Sequence, residues 1–300
     1  MNLEQLVNLA RNKSKFESIN DYLVFCQKFL EFTEKGMQAI IVSQNEPNYR
    51  FFQYKKDGSY NITRPINSDL MYKTTSSNLI NKRFVKILRA SRDIPKDDEV
   101  NRAIIRNTIY TLQQAIGATL DALPAGQSNI ARKINGDLFE RLIKLLIQEV
   151  GVDCRSQVIN IPVLVDGVEQ FSMSYQHDLL FFKEDDLKVI GSVKTSSKDR
   201  LDKIFMDKFL YNRLTETDTP HIAIFLHDVQ RKNAKLENKY GINSTFLPGH
   251  FKGYTVKLNP LNGVYYCDIR PNMRTDEFLR KHIRTIDYLF CDDLQDFMHR

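Results

Sequence analysis

Between residues 126 and 229 the chain passes from one helical texture to three strand-like ones and back. The amphipathic run GQSNIARKINGDLFERLIKLLIQEVG (126–151) comes first, with Gly136-Asp137 near its start and Gly151 at its end. SQVINIPVLV (156–165) and VEQFSMSYQHDLLFF (168–182) then flank Asp166-Gly167, a dipeptide that suits a tight hairpin because both of its residues accept positive φ. LKVIGSVKTS (187–196) follows the acidic turn KEDD (183–186). A second helical segment, DRLDKIFMDKFLYNRL (199–214), leads to the apolar run HIAIFLHDV (221–229). Neighbouring antiparallel strands followed by a helical crossover to another strand predict an α/β fold: a mixed sheet with helices on its faces.

The rest of the chain is read around that block. The first 125 residues are mostly helical in pattern, with apolar stripes over DYLVFCQKFLEFTEKG (21–36) and VNRAIIRNTIYTLQQAIGATLDAL (100–123). YRFFQYKKDGSYNITRP (49–65) predicts a hairpin about Asp57-Gly58. Near the end, YTVKLNPLNGVYYCDI (254–269) is expected to form a hairpin and TDEFLRKHIRTIDYLFCDDL (275–294) a closing helix. The expected organisation is a helical N-terminal region, 1–125, and a sheet-bearing core, 126–300.

Composition excludes several classes. Hydrophobic residues make up 42% and charged residues 27%, ordinary for a globular chain. No apolar run approaches the roughly 18 residues of a membrane span, and MNLEQLVNLARNKSK lacks a signal-peptide layout, so a cytoplasmic location is expected. Cys26, Cys154, Cys267 and Cys291 form no CxxC pair, which argues against structural zinc and a disulfide framework. The net charge of +6 is compatible with nucleic acid and selects nothing by itself.

Two charges stand where charge is costly. Asp178 begins the apolar run DLLFF, and Lys194 lies inside VIGSVKTS on the next predicted strand. The short turn between the strands lets the two meet at one edge of the sheet. A carboxylate there can hold a hard divalent cation, and a lysine beside it can steady charge on a phosphate under attack. The plainer readings are a strand-end aspartate facing solvent and a lysine whose stem lies along the sheet edge.

With this arrangement the segment 126–229 resembles the PD-(D/E)XK nuclease superfamily, and within it the type II restriction endonucleases. His177 stands where that motif has proline, and Ser192 stands where its second acid belongs, so the strand reads Ser192-Val193-Lys194. A subgroup with such SVK strands takes the missing carboxylate from the following helix. The corresponding position, 13 residues after Lys194, is Asp207, an aspartate where the subgroup has glutamate. Asp207 also lies four residues after Lys203, the spacing of an ordinary surface ion pair. Glu140, in GDLFERL, matches the helix acid that resembling nucleases place before the strands; its plainer reading is a solvated helix residue. The resemblance thus implies Asp178, Lys194, Asp207 and Glu140 as catalytic residues, with Mg²⁺ held by Asp178, Asp207 and Glu140.

The hydroxyls and cations that come after the lysine, Thr195, Ser196, Ser197, Lys198 and Arg200, suit DNA phosphates, as do Arg132 and Lys133 at the entry to the Glu140 helix. QRKNAKLENKYGINS (230–244) is rich in residues that read bases and is equally readable as a solvated connector. Glu184, Asp185 and Asp186 are read as solvated turn acids, His177 as structural, His227 and Asp228 as strand capping, and Cys267 as core. The expected function is a bacterial, Mg²⁺-dependent, sequence-specific endonuclease on double-stranded DNA. It is expected to work as a homodimer beside a methyltransferase that protects the same site. A non-cleaving DNA-binding protein and a repair or nicking nuclease of the same superfamily are the alternatives.

Overall fold

The computed structural model describes residues 1–56, 59–198, 200–232 and 239–299. Helices α1 (Leu3–Arg11) and α2 (Ile19–Gly36) lead to a small antiparallel sheet of β1 (Ala39–Val42), β2 (Tyr49–Lys56), β3 (Ser59–Ile62) and β4 (Ile66–Asn67). Helices α3 (Thr74–Arg89) and α4 (Glu99–Leu120) complete the N-terminal region. α1 and α2 begin in capping boxes, Asn2 with Gln5 and Ser18 with Asp21, which satisfy the free amides of the first turn. β2 and β3 pair antiparallel as expected, and the predicted Asp57-Gly58 turn lies outside the described residues.

The core keeps the predicted order. α5 (Ser128–Glu149) precedes β5 (Asp153–Val165), β6 (Val168–Lys183) and β7 (Asp186–Ser196); α6 (Leu201–Thr215) then crosses to β8 (His221–His227). β5, β6 and β7 are antiparallel neighbours, joined through Asp166 (φ 52°) and Gly167 (φ 77°) and through a turn with Glu184 at φ 56°. β8 lies parallel to β7, with Lys194 opposite Phe225.

The two faces of this sheet are covered by different helices. Leu179, Phe181, Val189 and Val193 pack with Leu138, Leu142 and Leu146 of α5. Leu180, Phe182 and Ile190 pack with Tyr211 of α6 on the other side. Every residue of β8 is buried, as a central parallel strand covered on both faces requires. The α5-side interior also contains Leu6, Phe29, Ile109 and Met298, so the N-terminal helices and the chain end share it.

After β8 the structure departs from the sequence-based expectation. The strand ends at His227, and the chain turns at Asp228 into a separate hairpin of β9 (Val229–Lys232) and β10 (Gly241–Ser244). The hairpin expected over 254–269 does not form. Tyr254–Lys257 ends the helix α7 (Pro248–Lys257), which starts with a proline at its first turn. β11 (Gly263–Tyr266) instead enters the main sheet parallel to β8. Tyr265 and Tyr266 are fully buried there, and long-range pairing outweighs the local hairpin pattern.

The closing helix is also broken. α8 (Pro271–Thr275) and α9 (Leu279–His282) are short, and Ile283–Thr285 is extended as β12, parallel to β11. A π-helical turn, Leu289–Asp293, and α10 (Leu294–His299) come last. The β-branched Ile283 and Thr285 favour the strand, and Asp293 fixes the return by accepting bonds from Tyr265 and Arg284, each at 2.7 Å. The sheet order is β12-β11-β8-β7-β6-β5. Among the described residues, no helix is long and apolar enough to cross a membrane.

Candidate active site

The site begins with a fault in the β-ladder. From Arg155 to Gln157, two steps along β5, its partner β6 runs three steps, from Leu180 to His177. This β-bulge on β6 includes Asp178, whose backbone carbonyl accepts a bond from Ser156 Oγ at 2.8 Å. The pairing of β6 with β7 ends beside it, at Leu179 and Gly191, and the two strands part. Continued pairing would place Val193 opposite His177. Instead Asp178 Oδ2 accepts the Val193 amide at 2.8 Å.

Lys194 reaches the same carboxylate. Its Nζ lies 2.5 Å from Asp178 Oδ2 and 3.4 Å from Glu140 Oε1, which α5 brings across the mouth of the fork. The side chains of Asp178, Lys194 and Glu140 keep 17%, 29% and 33% of their exposure, so the group is reachable from outside. Burial, reinforced by the charge of Asp178, pushes the Glu140 carboxyl up to about 7, while Lys194 opposes that rise. Two carboxylates that repel each other around one ammonium form a concentrated anionic site. Magnesium keeps several of its waters and takes one or two protein carboxylates together with phosphate oxygens, so Asp178 and Glu140 fit such an ion.

Asp207 is placed differently. It lies on α6 and pairs with Lys203 at 3.0 Å, the i,i+4 contact of the plainer reading. Its charge nonetheless acts on Tyr175 and His177 of β6, the second of which is next in the chain to Asp178. Among the described residues, no three His, Cys, Asp or Glu side chains are grouped closely enough to hold a metal unaided. The predicted carboxylates are therefore assembled in part: Asp178 and Glu140 share Lys194, and Asp207, half-buried on the adjoining helix, pairs with Lys203.

The residues expected to meet DNA divide in the same way. Arg132, Lys133, Lys198 and Arg200 are exposed, and Thr195 and Ser196 are half-buried. Ser197 turns inward, 3% exposed, with its hydroxyl 3.3 Å from Thr245 Oγ1. His177 is buried, stacked on Tyr175 and edge-on to Tyr211. His227 and Asp228 are buried where β8 turns into β9, and Cys267 lies in the core. Sequence reasoning singled out neither Ser156 nor Thr245, because isolated hydroxyl residues carry no periodic or motif signal.

The chain superposes along nearly its whole length on a solved structure, that of the type IIP restriction endonuclease Kpn2I. The likeness covers 99% of this chain and 97% of that one, with a TM-score of 0.67 at 17% sequence identity. The fold is that of a restriction endonuclease. The PspGI restriction endonuclease–substrate DNA complex is also similar, over 76% of this chain and 96% of that one, with a TM-score of 0.45 at 13% identity. No protein-family model and no curated protein sequence matches the chain. The restriction-endonuclease-like core accounts for the mixed sheet and flanking helices, and its parting strands β6 and β7 carry the charged group.

Proposed function

We propose that this protein is a type II restriction endonuclease, a Mg²⁺-dependent hydrolase that cuts both strands of DNA at a specific site. The observation that supports the reading most is the Lys194 ammonium held between the carboxylates of Asp178 and Glu140 where β6 and β7 part. Bound there, the cation would be held by Asp178 and Glu140 and would neutralise phosphate charge as a Lewis acid. Asp207, whose charge is felt at His177 beside Asp178, would supply the acid that Ser192 lacks.

The protein's own groups do the rest. Asp178 holds Lys194 in place, and Lys194 steadies the negative charge that gathers on the phosphate oxygens. Glu140, 3.4 Å from Lys194, orients the attacking water. Lys198, Arg200, Arg132 and Lys133 bind the backbone phosphates at low sequence cost, together with Thr195 and Ser196. One such site per chain calls for a two-fold homodimer to cut both strands of a symmetric site. A host carrying this enzyme in its cytoplasm needs a methyltransferase acting on the same sequence.

The test is direct. Purified protein incubated with plasmid DNA and Mg²⁺ should give discrete fragments with mappable ends. DNA binding without any metal-dependent cutting would overturn the proposal and leave a non-cleaving DNA-binding protein.

A further inference from the structure

The β9–β10 hairpin is tied to three parts of the molecule. The N-terminal sheet region carries it: Asn45 Nδ2 donates to the Ile242 carbonyl and Asn45 Oδ1 accepts the Ile242 amide, both at 2.9 Å. Arg231 donates to the Ile62 carbonyl at 2.7 Å, and Tyr49, Phe51, Val229 and Ile242 close an apolar cluster between the two sheets. At its base the hairpin is tied to Asp228, which is fully buried. Ser244 Oγ donates to Asp228 Oδ2 at 2.6 Å, and Thr245 Oγ1 donates to the Asp228 carbonyl at 2.7 Å.

The third tie runs toward the candidate active site. Thr245 Oγ1 lies 3.4 Å from Ser196 Oγ and 3.3 Å from Ser197 Oγ. With its own proton committed to Asp228, the threonine oxygen can accept from either serine. Ser196 ends β7 two residues after Lys194, and at about 3.3 Å per residue the contact is roughly 7 Å along the strand from the lysine. The amide of Ser197 donates to the His227 carbonyl at 3.4 Å, so the same short segment is held from both sides.

Arg231, Lys232 and Lys239 on or beside the hairpin and Arg50 on β2 are exposed. Such exposed cations suit phosphate oxygens.

We propose that Thr245 is a positioning residue that couples a DNA-contacting unit, the β9–β10 hairpin with the N-terminal sheet, to the strand that bears Lys194. The proposal rests on the nuclease reading and deepens it: contact at the hairpin sets the position of β7. Two substitutions separate the hydroxyl from the shape. Thr245→Val keeps the branched side chain without the hydroxyl, and Thr245→Ser keeps the hydroxyl.

The first readout is amide exchange over residues 194–198 in the free protein. Thr245→Val should raise exchange there about fivefold, and Thr245→Ser should restore protection. Ser197→Ala, which removes the other end of the contact, should loosen the same segment and serves if Thr245→Val folds poorly. The second readout is single-turnover cleavage beside DNA affinity in Ca²⁺. Thr245→Val should cut roughly tenfold more slowly with affinity within about twofold of the parent, and Thr245→Ser should cut normally. Unchanged exchange in both Thr245→Val and Ser197→Ala overturns the coupling, as does parental cutting by Thr245→Val. If the unaltered protein cuts no DNA, the nuclease reading fails, and the exchange experiment alone then decides whether Thr245 holds β7.

Discussion

Asp178 Oδ2 accepts the Val193 amide at 2.8 Å, taking the place of the β6 carbonyl that a continued ladder would offer. The same oxygen receives the Lys194 ammonium. One carboxylate thus satisfies a backbone donor at the parting of two strands and holds a charged side chain beside it. These two tasks separate by substitution.

Asp178→Asn keeps an acceptor for the Val193 amide and removes the charge. Cutting should fall on the order of a thousandfold or more, with little loss of stability. Asp178→Ala should fall as far in activity and also lose about 1–3 kcal/mol of stability, because the buried amide loses its partner. Urea unfolding beside single-turnover cleavage measures both, and equal stability of the two variants would contradict the structural role.

Asp207 should prove catalytic despite its pairing with Lys203. Asp207→Ala is expected to abolish cutting about as fully as Asp178→Ala, with DNA binding in Ca²⁺ largely retained. Lys203→Ala, which breaks the 3.0 Å surface pair, should cost below about 1 kcal/mol of stability and leave cutting intact. Ser192→Glu combined with Asp207→Ala returns the acid to the strand and should recover part of the activity. Near-normal turnover by Asp207→Ala would leave Glu140 as the second carboxylate.

Metal dependence should track the hard oxygen ligands. Mg²⁺ or Mn²⁺ should support cutting, and Ca²⁺ should support binding without it, since its looser coordination does not reproduce the octahedral geometry. Mg²⁺ should also raise the melting temperature of the parent protein more than that of an Asp178→Asn, Glu140→Gln double variant. Full activity in excess chelator would rule the metal out.

Stability should fall in mild acid because of buried histidines. Burial lowers the pKa of His227 to about 3, against about 6.5 in an unfolded chain. The unfolded chain therefore binds the proton first, and the contribution of His227 is complete above about pH 6.5 and declines as pH falls toward 3. His221, lowered to about 3 by burial as well, acts in the same direction. Between pH 7.5 and 5, His227→Gln should lose about 1–2 kcal/mol less stability than the parent protein. Parallel pH profiles in urea unfolding would refute this.

The oligomer is open to measurement as well. Sedimentation at micromolar concentration should show a homodimer, the symmetry that cutting both strands of a palindrome asks for. A monomer that cuts both strands in one encounter would be the contrary result.

The order of elements from 126 to 229 was legible in the sequence because its signals are local. The Asp166-Gly167 turn, the apolar periods on either side and the capped helix before them act within a few residues. The adjacency of Asp178 and Lys194 was legible for the same reason, since a short turn fixes which strands are neighbours. The arrangement of the chain beyond β8 was not legible. Residues 254–257 have the alternation of a strand and end a helix, and Ile283–Thr285 have the surroundings of a helix and form a strand. Their state is decided by pairing with residues far away in the chain, which local pattern does not contain.

The same division runs through the site. The sequence by itself determined that a carboxylate and a lysine stand on neighbouring strands. Only the tertiary structure decided that a bulge turns Asp178 into the parting of β6 and β7, that α5 brings Glu140 to within 3.4 Å of Lys194, and that Thr245 meets Ser197. These contacts join residues tens of positions apart, and they arise where strand pairing stops, because unpaired amides and charges there must find partners from other elements.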